Sequence, residues 1–196
     1  MRLRSALVGA MTVAALGLGA PAALAAPAAP AKAAAAKPPY ETWIRDVTVV
    51  TGQLTGYLDG RLPGGGKKAV VFDIDNTTLE TAYNFGVPTP AIPPVLKAAK
   101  RAKEQGAAIF FVTNRPYVLG LPTEDNLKRV GYPVDGLYLR PWFNVDPTEK
   151  VKTEARIAIE KLGHTIVANV GNNTWDLAGG HAERTFKLPD YDGALD

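Results

Sequence analysis

The feature that most constrains this chain is residues 69–79, AVVFDIDNTTL, where a short apolar run ends in two aspartates one residue apart. A Val- and Phe-rich run of this length predicts a buried strand. In open α/β sheets ligands collect at the carboxyl ends of the strands, which is where Asp73 and Asp75 fall. If the strand stays extended through them, alternate side chains share a face and both carboxylates serve one site. Two carboxylates brought close repel each other unless a cation or a shared proton compensates. The pair therefore points to a hard metal ion, to acid/base work, or to both.

The order of elements around this stretch predicts the fold class. Apolar residues Trp43, Val47, Val50, Leu54 and Leu58 recur at helical spacing over 41–58, although the β-branched run 47–51 works against a helix. After the aspartates, residues 80–90 are too short for a domain, contain Tyr83 and Phe85, and end in prolines, predicting a small cap over the strand end. A helix over 93–105 closes at Gly106. Strands are expected at 107–112, 137–139, 165–170 and, at the edge, 184–188. A helix over 123–130 has Thr123 as its cap. Another, capped by Asp146 with Pro147 behind it, runs to Leu162. Strands alternating with helices predict an α/β fold, a parallel central sheet with helices on both faces.

Residues 1–26 have a basic start (Arg2, Arg4), an apolar run and a small-residue end, the layout of a secretory signal peptide cleaved after Ala25 or Ala26. The apolar run is shorter than the roughly 20 residues a membrane span needs. Residues 27–39 read as an Ala/Pro-rich linker, leaving one domain over 40–196. The expectation is a secreted, extracellular protein with no membrane attachment once the signal is removed. The formal charge is +3, but it falls to +1 without Arg2 and Arg4, which is no footprint for nucleic acid. The absence of cysteine excludes disulfides, thiolate zinc sites and a cysteine nucleophile.

Four polar clusters lie at strand ends or beside a capped helix: Asp73/Asp75, Thr113/Asn114, the lysines Lys150 and Lys152, and Asn172/Asp176. Singly, each has a bland reading as a cap, a turn or a solvated face. In this order they resemble the motifs of the haloacid dehalogenase (HAD) superfamily of aspartate-nucleophile phosphohydrolases. The strand ending in Asp73-Ile-Asp75-Asn-Thr77 matches its first motif, 112–115 (VTNR) its second, and 171–177 (GNNTWDL) its fourth. Residues 152–156 (KTEAR) resemble the lysine-bearing third motif of the class IIIB acid phosphatases, the group that includes plant vegetative storage proteins. The strand 136–140 and the ending from Gly180 to Pro189 fit the same branch. The resemblance covers residues 40 to 189.

The resemblance implies a three-layer α/β/α Rossmann-like fold with a small cap insertion, and Mg²⁺-dependent hydrolysis of a small phosphomonoester. Asp73 is then the nucleophile that forms an aspartyl-phosphate, and Asp75 the acid that protonates the leaving oxygen and later activates water. Thr113, Asn114 and Lys152 hold the phosphate. Lys150 and Lys152, two apart on a helix, point in different directions; the 152–156 match favours Lys152. The metal ligands are Asp73, the main-chain carbonyl of Asp75 and the fourth motif, through Asn172 and Asp176. Position 172 departs from the family, which has aspartate there; asparagine keeps an oxygen but loses a charge, weakening Mg²⁺ binding. That departure motivates the alternative of a catalytically weak storage or phosphate/metal-binding protein on the same fold. Tyr83, Phe85, Trp142, Phe143 and Trp175 are candidates for stacking on an aryl or nucleobase group.

Overall fold

The computed structural model describes residues 36–84 and 86–196. The signal peptide, most of the linker and Phe85 lie outside the described residues.

The first strand, β1 (Lys68–Phe72), is buried along its whole length because it is the middle of a five-stranded sheet. β2 (Ala108–Pro116) pairs with it on one side and β4 (Thr165–Gly171) on the other, with β3 (Gly136–Arg140) and β5 (Thr185–Lys187) at the edges. All pairings are parallel. A parallel neighbour requires a crossover, and the helices supply it. Alternate residues of β1 feed two cores. Val70 and Phe72 face α1 (Tyr40–Arg61), α2 (Pro93–Glu104) and α3 (Gly120–Arg129), whereas Ala69 and Val71 pack with Ile159 of α4 (Thr148–Lys161). The result is three layers, α/β/α. Because the chain runs from β1 outward to β3 and then returns to β4 on the opposite side, the order reverses beside β1. That switch point opens a crevice at the strand ends.

The β-branched run does not break α1. The hydroxyls of Thr48, Thr51 and Thr55 each donate to a carbonyl four residues back, at 2.6, 3.1 and 2.8 Å, inside the helix. Thr51, not Val50, completes the buried stripe with Trp43, Val47, Leu54 and Leu58. Two expected caps are replaced. Thr123 lies within α3, which begins three residues earlier at Gly120, and its buried hydroxyl accepts from Arg115 at 3.3 Å. α4 has Pro147 at its cap position, while the Asp146 carboxylate takes Lys150 at 3.1 Å.

The 80–92 insertion is closed at its base by the Glu80 N–H to Pro90 carbonyl bond (3.0 Å) and the Leu79–Ala91 bridge. Tyr83 stacks on Trp43 of α1, ring centroids 4.6 Å apart and 17° from parallel. This ring is therefore core packing, which removes Tyr83 from the candidates for stacking on a ligand.

Candidate active site

β1 delivers Asp73 one residue past its last sheet position, where its N–H continues the pairing to Val170 O at 2.9 Å. The chain then curls. The amides of Thr77, Thr78 and Leu79 all converge on Ile74 O (3.2, 2.9 and 2.9 Å), and Asn76 takes a left-handed φ of 55°. The extended geometry that would put Asp73 and Asp75 on one face therefore stops at the first aspartate. Asp73 is buried, and Asp75 carries a side chain 42% exposed at the rim.

Asp73 Oδ1 accepts from Lys152 Nζ, and the same ammonium reaches Asp176 Oδ1 at 2.5 Å. All three side chains are almost completely buried. Lys152 comes from the second turn of α4. Lys150 lies on the outer side of that helix, paired with Asp146. Asp176 belongs to α5 (Thr174–Leu177), where its Oδ2 accepts the Asn173 N–H at 2.8 Å in a capping box. Gly171 makes this approach possible, because a Cβ there would overlap the Asp176 side chain.

Two carboxylates and one ammonium leave a net negative charge in a dry site. Burial pushes the Asp73 carboxyl up to about 7; Lys152 pulls it down, while Asp176 and Asp75 add to the rise. Burial works against the Lys152 ammonium too, but Asp73 and Asp176 outweigh it and hold its pKa above the ordinary value.

Asp75 is gripped by Arg115, which donates Nε to Oδ2 at 3.0 Å and Nη2 to Oδ1 at 2.7 Å. Arg115 sits inside the second motif but carries no role in the sequence reading. Thr113 is buried, its hydroxyl accepting the Arg115 N–H at 3.1 Å. Asn114 is exposed, and its amide oxygen accepts from Arg140 Nε at 2.5 Å. Arg140 also binds the Asp146 carbonyl (2.9 Å) and the Thr148 hydroxyl (3.1 Å), fixing the loop from β3 into α4.

Arg156 is wholly buried, donating to the main-chain carbonyls of Asp176 (2.9 Å), Ala178 and Gly180 (2.9 Å). It holds the loop that carries Asp176, a task its place in the KTEAR segment gave no means to read.

Asn172 is fully buried and is held by groups other than Asp73's partners. Its Oδ1 accepts the Thr77 hydroxyl at 3.1 Å and its Nδ2 donates to Leu195 O at 2.9 Å. Among the described residues, no three His, Cys, Asp or Glu side chains cluster as a metal cage. Each oxygen of Asp176 accepts one hydrogen bond and keeps a second lone pair, as does Asn172 Oδ1. The oxygens that suit a hard cation are the Asp73 and Asp176 carboxylates, the Asp75 main-chain carbonyl and Asn172 Oδ1. The net negative charge is one that a cation would neutralise.

Trp142 and Phe143 are exposed, and Trp175 is 39% exposed. A cavity of about 590 Å³, lined by Tyr117, Leu121, Leu139 and Trp142 among others, runs along β3 and α3 and includes none of the polar site residues.

Comparison with known proteins accords with this arrangement. Residues 84–194 match the family model for the HAD superfamily, subfamily IIIB (acid phosphatase). That match contains Thr113, Lys152, Asn172 and Asp176 and begins after Asp73 and Asp75. The chain is 32% identical over 148 residues to the stem 28 kDa glycoprotein of Glycine max, covering 63% of this chain and 58% of the relative. It is 28% identical over 141 residues to vegetative storage protein 1 of Arabidopsis thaliana, covering 61% and 52%. The chain thus spans a little over half the length of these curated relatives. Its fold resembles that of the class C acid phosphatase from Bacillus anthracis, with a TM-score of 0.56, 20% identity, and coverage of 79% of this chain and 85% of that one. The chain belongs to the HAD superfamily, subfamily IIIB, the acid phosphatase family.

Proposed function

We propose that this protein is an exported phosphomonoester hydrolase that works through an aspartyl-phosphate on Asp73. The observation that carries the proposal is the buried Asp73 carboxylate at the end of the central strand, held by Lys152 against Asp176. A structural ion pair gains little from burial, whereas a nucleophile needs this placement.

In the first step an Asp73 oxygen attacks phosphorus, the bond to the leaving oxygen breaks, and Asp75 gives that oxygen its proton. In the second, Asp75 takes a proton from water, water oxygen attacks phosphorus, and the Asp73–phosphorus bond breaks to release phosphate. Arg115 fixes the orientation of Asp75 in its ionised form, the form that takes the proton from water. Lys152 and the Thr113 hydroxyl hold phosphate oxygens, with Asn114 beside them. Phosphatases of this superfamily generally use a divalent metal. Mg²⁺, held by Asp73, the Asp75 carbonyl, Asn172 Oδ1 and Asp176, would supply the positive charge that lets a phosphate approach two carboxylates. The substrate is a small phosphomonoester. Export rests on the basic, then apolar, then small-residue order of residues 1–26.

The test is hydrolysis of a generic aryl phosphate by purified protein, with and without chelator, beside Asp73→Asn. Turnover that is abolished in the variant and reduced by chelator supports the proposal; no turnover across a panel of phosphomonoesters ends it. Recovery of the protein only inside the cell, with residues 1–26 still attached, would end the export proposal. A second reading, a storage or binding protein of weak activity, is favoured by Asn172 and by the likeness to a vegetative storage protein. It predicts phosphate binding without turnover in the same assay.

A further inference from the structure

The backbone carbonyl of Leu195, a buried core residue, accepts two amide hydrogen bonds: from Asn76 Nδ2 at 2.8 Å and from Asn172 Nδ2 at 2.9 Å. These amides come from the two loops that flank Asp73, the turn after β1 and the end of β4. A carbonyl only accepts, so both groups facing it must donate. Asparagine provides a donor; an ionised aspartate provides none. The remaining amide atoms are also engaged. Asn76 Oδ1 accepts the Ala82 N–H at 2.7 Å and the Thr81 hydroxyl at 3.1 Å, and Asn172 Oδ1 accepts the Thr77 hydroxyl. Lys187 donates to the Asn172 carbonyl and pairs with Asp190 at 3.0 Å, tying the same stretch of chain from its other end.

We propose that Asn172 is a positioning residue that locks the Asp176 loop to the Asp73 turn through the Leu195 carbonyl, and that keeping an amide at 172 for this tie leaves the site with a lower affinity for a divalent ion than an aspartate there would give. The metal half rests on the phosphatase reading; the tie does not. An aspartate at 172 would add a carboxylate suited to a hard cation. It would also turn a lone pair toward the Leu195 carbonyl and leave Asn76 as the one amide donor there. The two properties are opposed at a single side chain, which gives the departure from the family pattern a structural cause.

The experiment uses full-length Asn172→Asp, Asn172→Ala and Asn76→Asp, the last because aspartate tolerates a left-handed backbone. It reads Mg²⁺ affinity by calorimetry without substrate, metal-free Tm, and hydrogen exchange over 191–196. Asn172→Asp is expected to bind Mg²⁺ about 10-fold tighter, to lose about 4 °C of metal-free Tm, and to exchange faster at 191–196. Asn172→Ala should show the same losses without tighter Mg²⁺ binding, and Asn76→Asp the same faster exchange. Unchanged metal-free Tm and exchange in both position-172 variants overturns the tie. An unchanged Mg²⁺ affinity in Asn172→Asp, or its failure to fold at any Mg²⁺ concentration while Asn172→Ala folds, overturns the metal half. A wild-type protein that turns over no phosphomonoester, yet shows the metal-free shifts, refutes the phosphatase reading and leaves the tie standing.

Discussion

Arg115 holds both oxygens of Asp75, Nε at 3.0 Å and Nη2 at 2.7 Å, across 40 residues of sequence. The pair sits at the rim, so its net stabilisation is at most about 1 kcal/mol. Its effect is on orientation, since a planar fork fixes a carboxylate as a point charge does not. Arg115→Met is expected to lower kcat for an aryl phosphate about 10- to 100-fold, less than the roughly 100- to 10,000-fold of losing a general acid–base group outright because Asp75 itself remains, with little change in urea midpoint. Arg115→Lys should recover only part of the loss. Wild-type kcat in the methionine variant would show that Asp75 orients itself.

Asp73 carries a pH prediction for the metal-free protein. Its pKa is raised from 3.8 to about 7 in the fold, so between these values the native state binds a proton that the unfolded state has released. By linkage, stability falls as pH rises through this window and the whole cost is present above about 7. Asp73→Asn removes that carboxylate and leaves Lys152 paired one-to-one with Asp176. In metal-free buffer the variant should therefore gain on wild type from pH 5 to pH 8 in urea melts, while losing all turnover. A gap that narrows over that range would contradict the charge balance described here.

Lys152→Met leaves two carboxylates buried against each other. Removing one member of a buried charge cluster costs about 3 to 5 kcal/mol. The loss should be greatest at pH 8 and shrink toward pH 4, as Asp73 regains its proton. Lys150→Met, on the outer side of the same helix, should move the urea midpoint hardly at all. Equal losses in the two would place the site lysine elsewhere.

Gly171→Ala drives a methyl group into the Asp176 side chain. Overpacking of this kind costs about 1 to 3 kcal/mol, and here it also displaces a partner of Lys152. Both the melting midpoint and kcat should fall. A normal kcat would mean that the Asp176 position tolerates a shift.

The bond between Arg61 and Glu183 fastens α1 to the loop leading into β5, at 2.7 and 2.5 Å, with Tyr57 adding a third contact at 3.2 Å. The Arg61 hydrogen bonds hold the Glu183 carboxyl below its ordinary 4.5. A lowered pKa means that the contribution is present above 4.5 and is lost as pH falls below it. Glu183→Gln should give a small, salt-sensitive loss of stability at pH 7 that disappears near pH 3. The same loss at both pH values would show that the effect is packing.

Features built from neighbouring residues were legible in the sequence. The Val/Phe run of β1, the stripe from Trp43 to Leu58 and the Gly106 stop depend on period and local backbone preference, and each element stands within a few residues of its expected place. The cap at Asp146 gave way to a local i,i+4 pair with Lys150, whereas the cap at Thr123 failed because Arg115, from the end of β2, claims its hydroxyl. Tyr83 failed likewise, drawn onto Trp43.

By itself the sequence determined a parallel α/β sheet ending in Asp73 and Asp75, since strand hydrophobicity and its abrupt polar end are local properties. Only the tertiary structure decided how the carboxylates are shared. Lys152 meets Asp73 across 79 residues, Arg115 meets Asp75 across 40, and Asn172 meets the Leu195 carbonyl across 23. Each polar residue has many chemically acceptable partners along the chain. Which one it takes is fixed by the side of the sheet to which its element is packed, and that is set by burial of the apolar core.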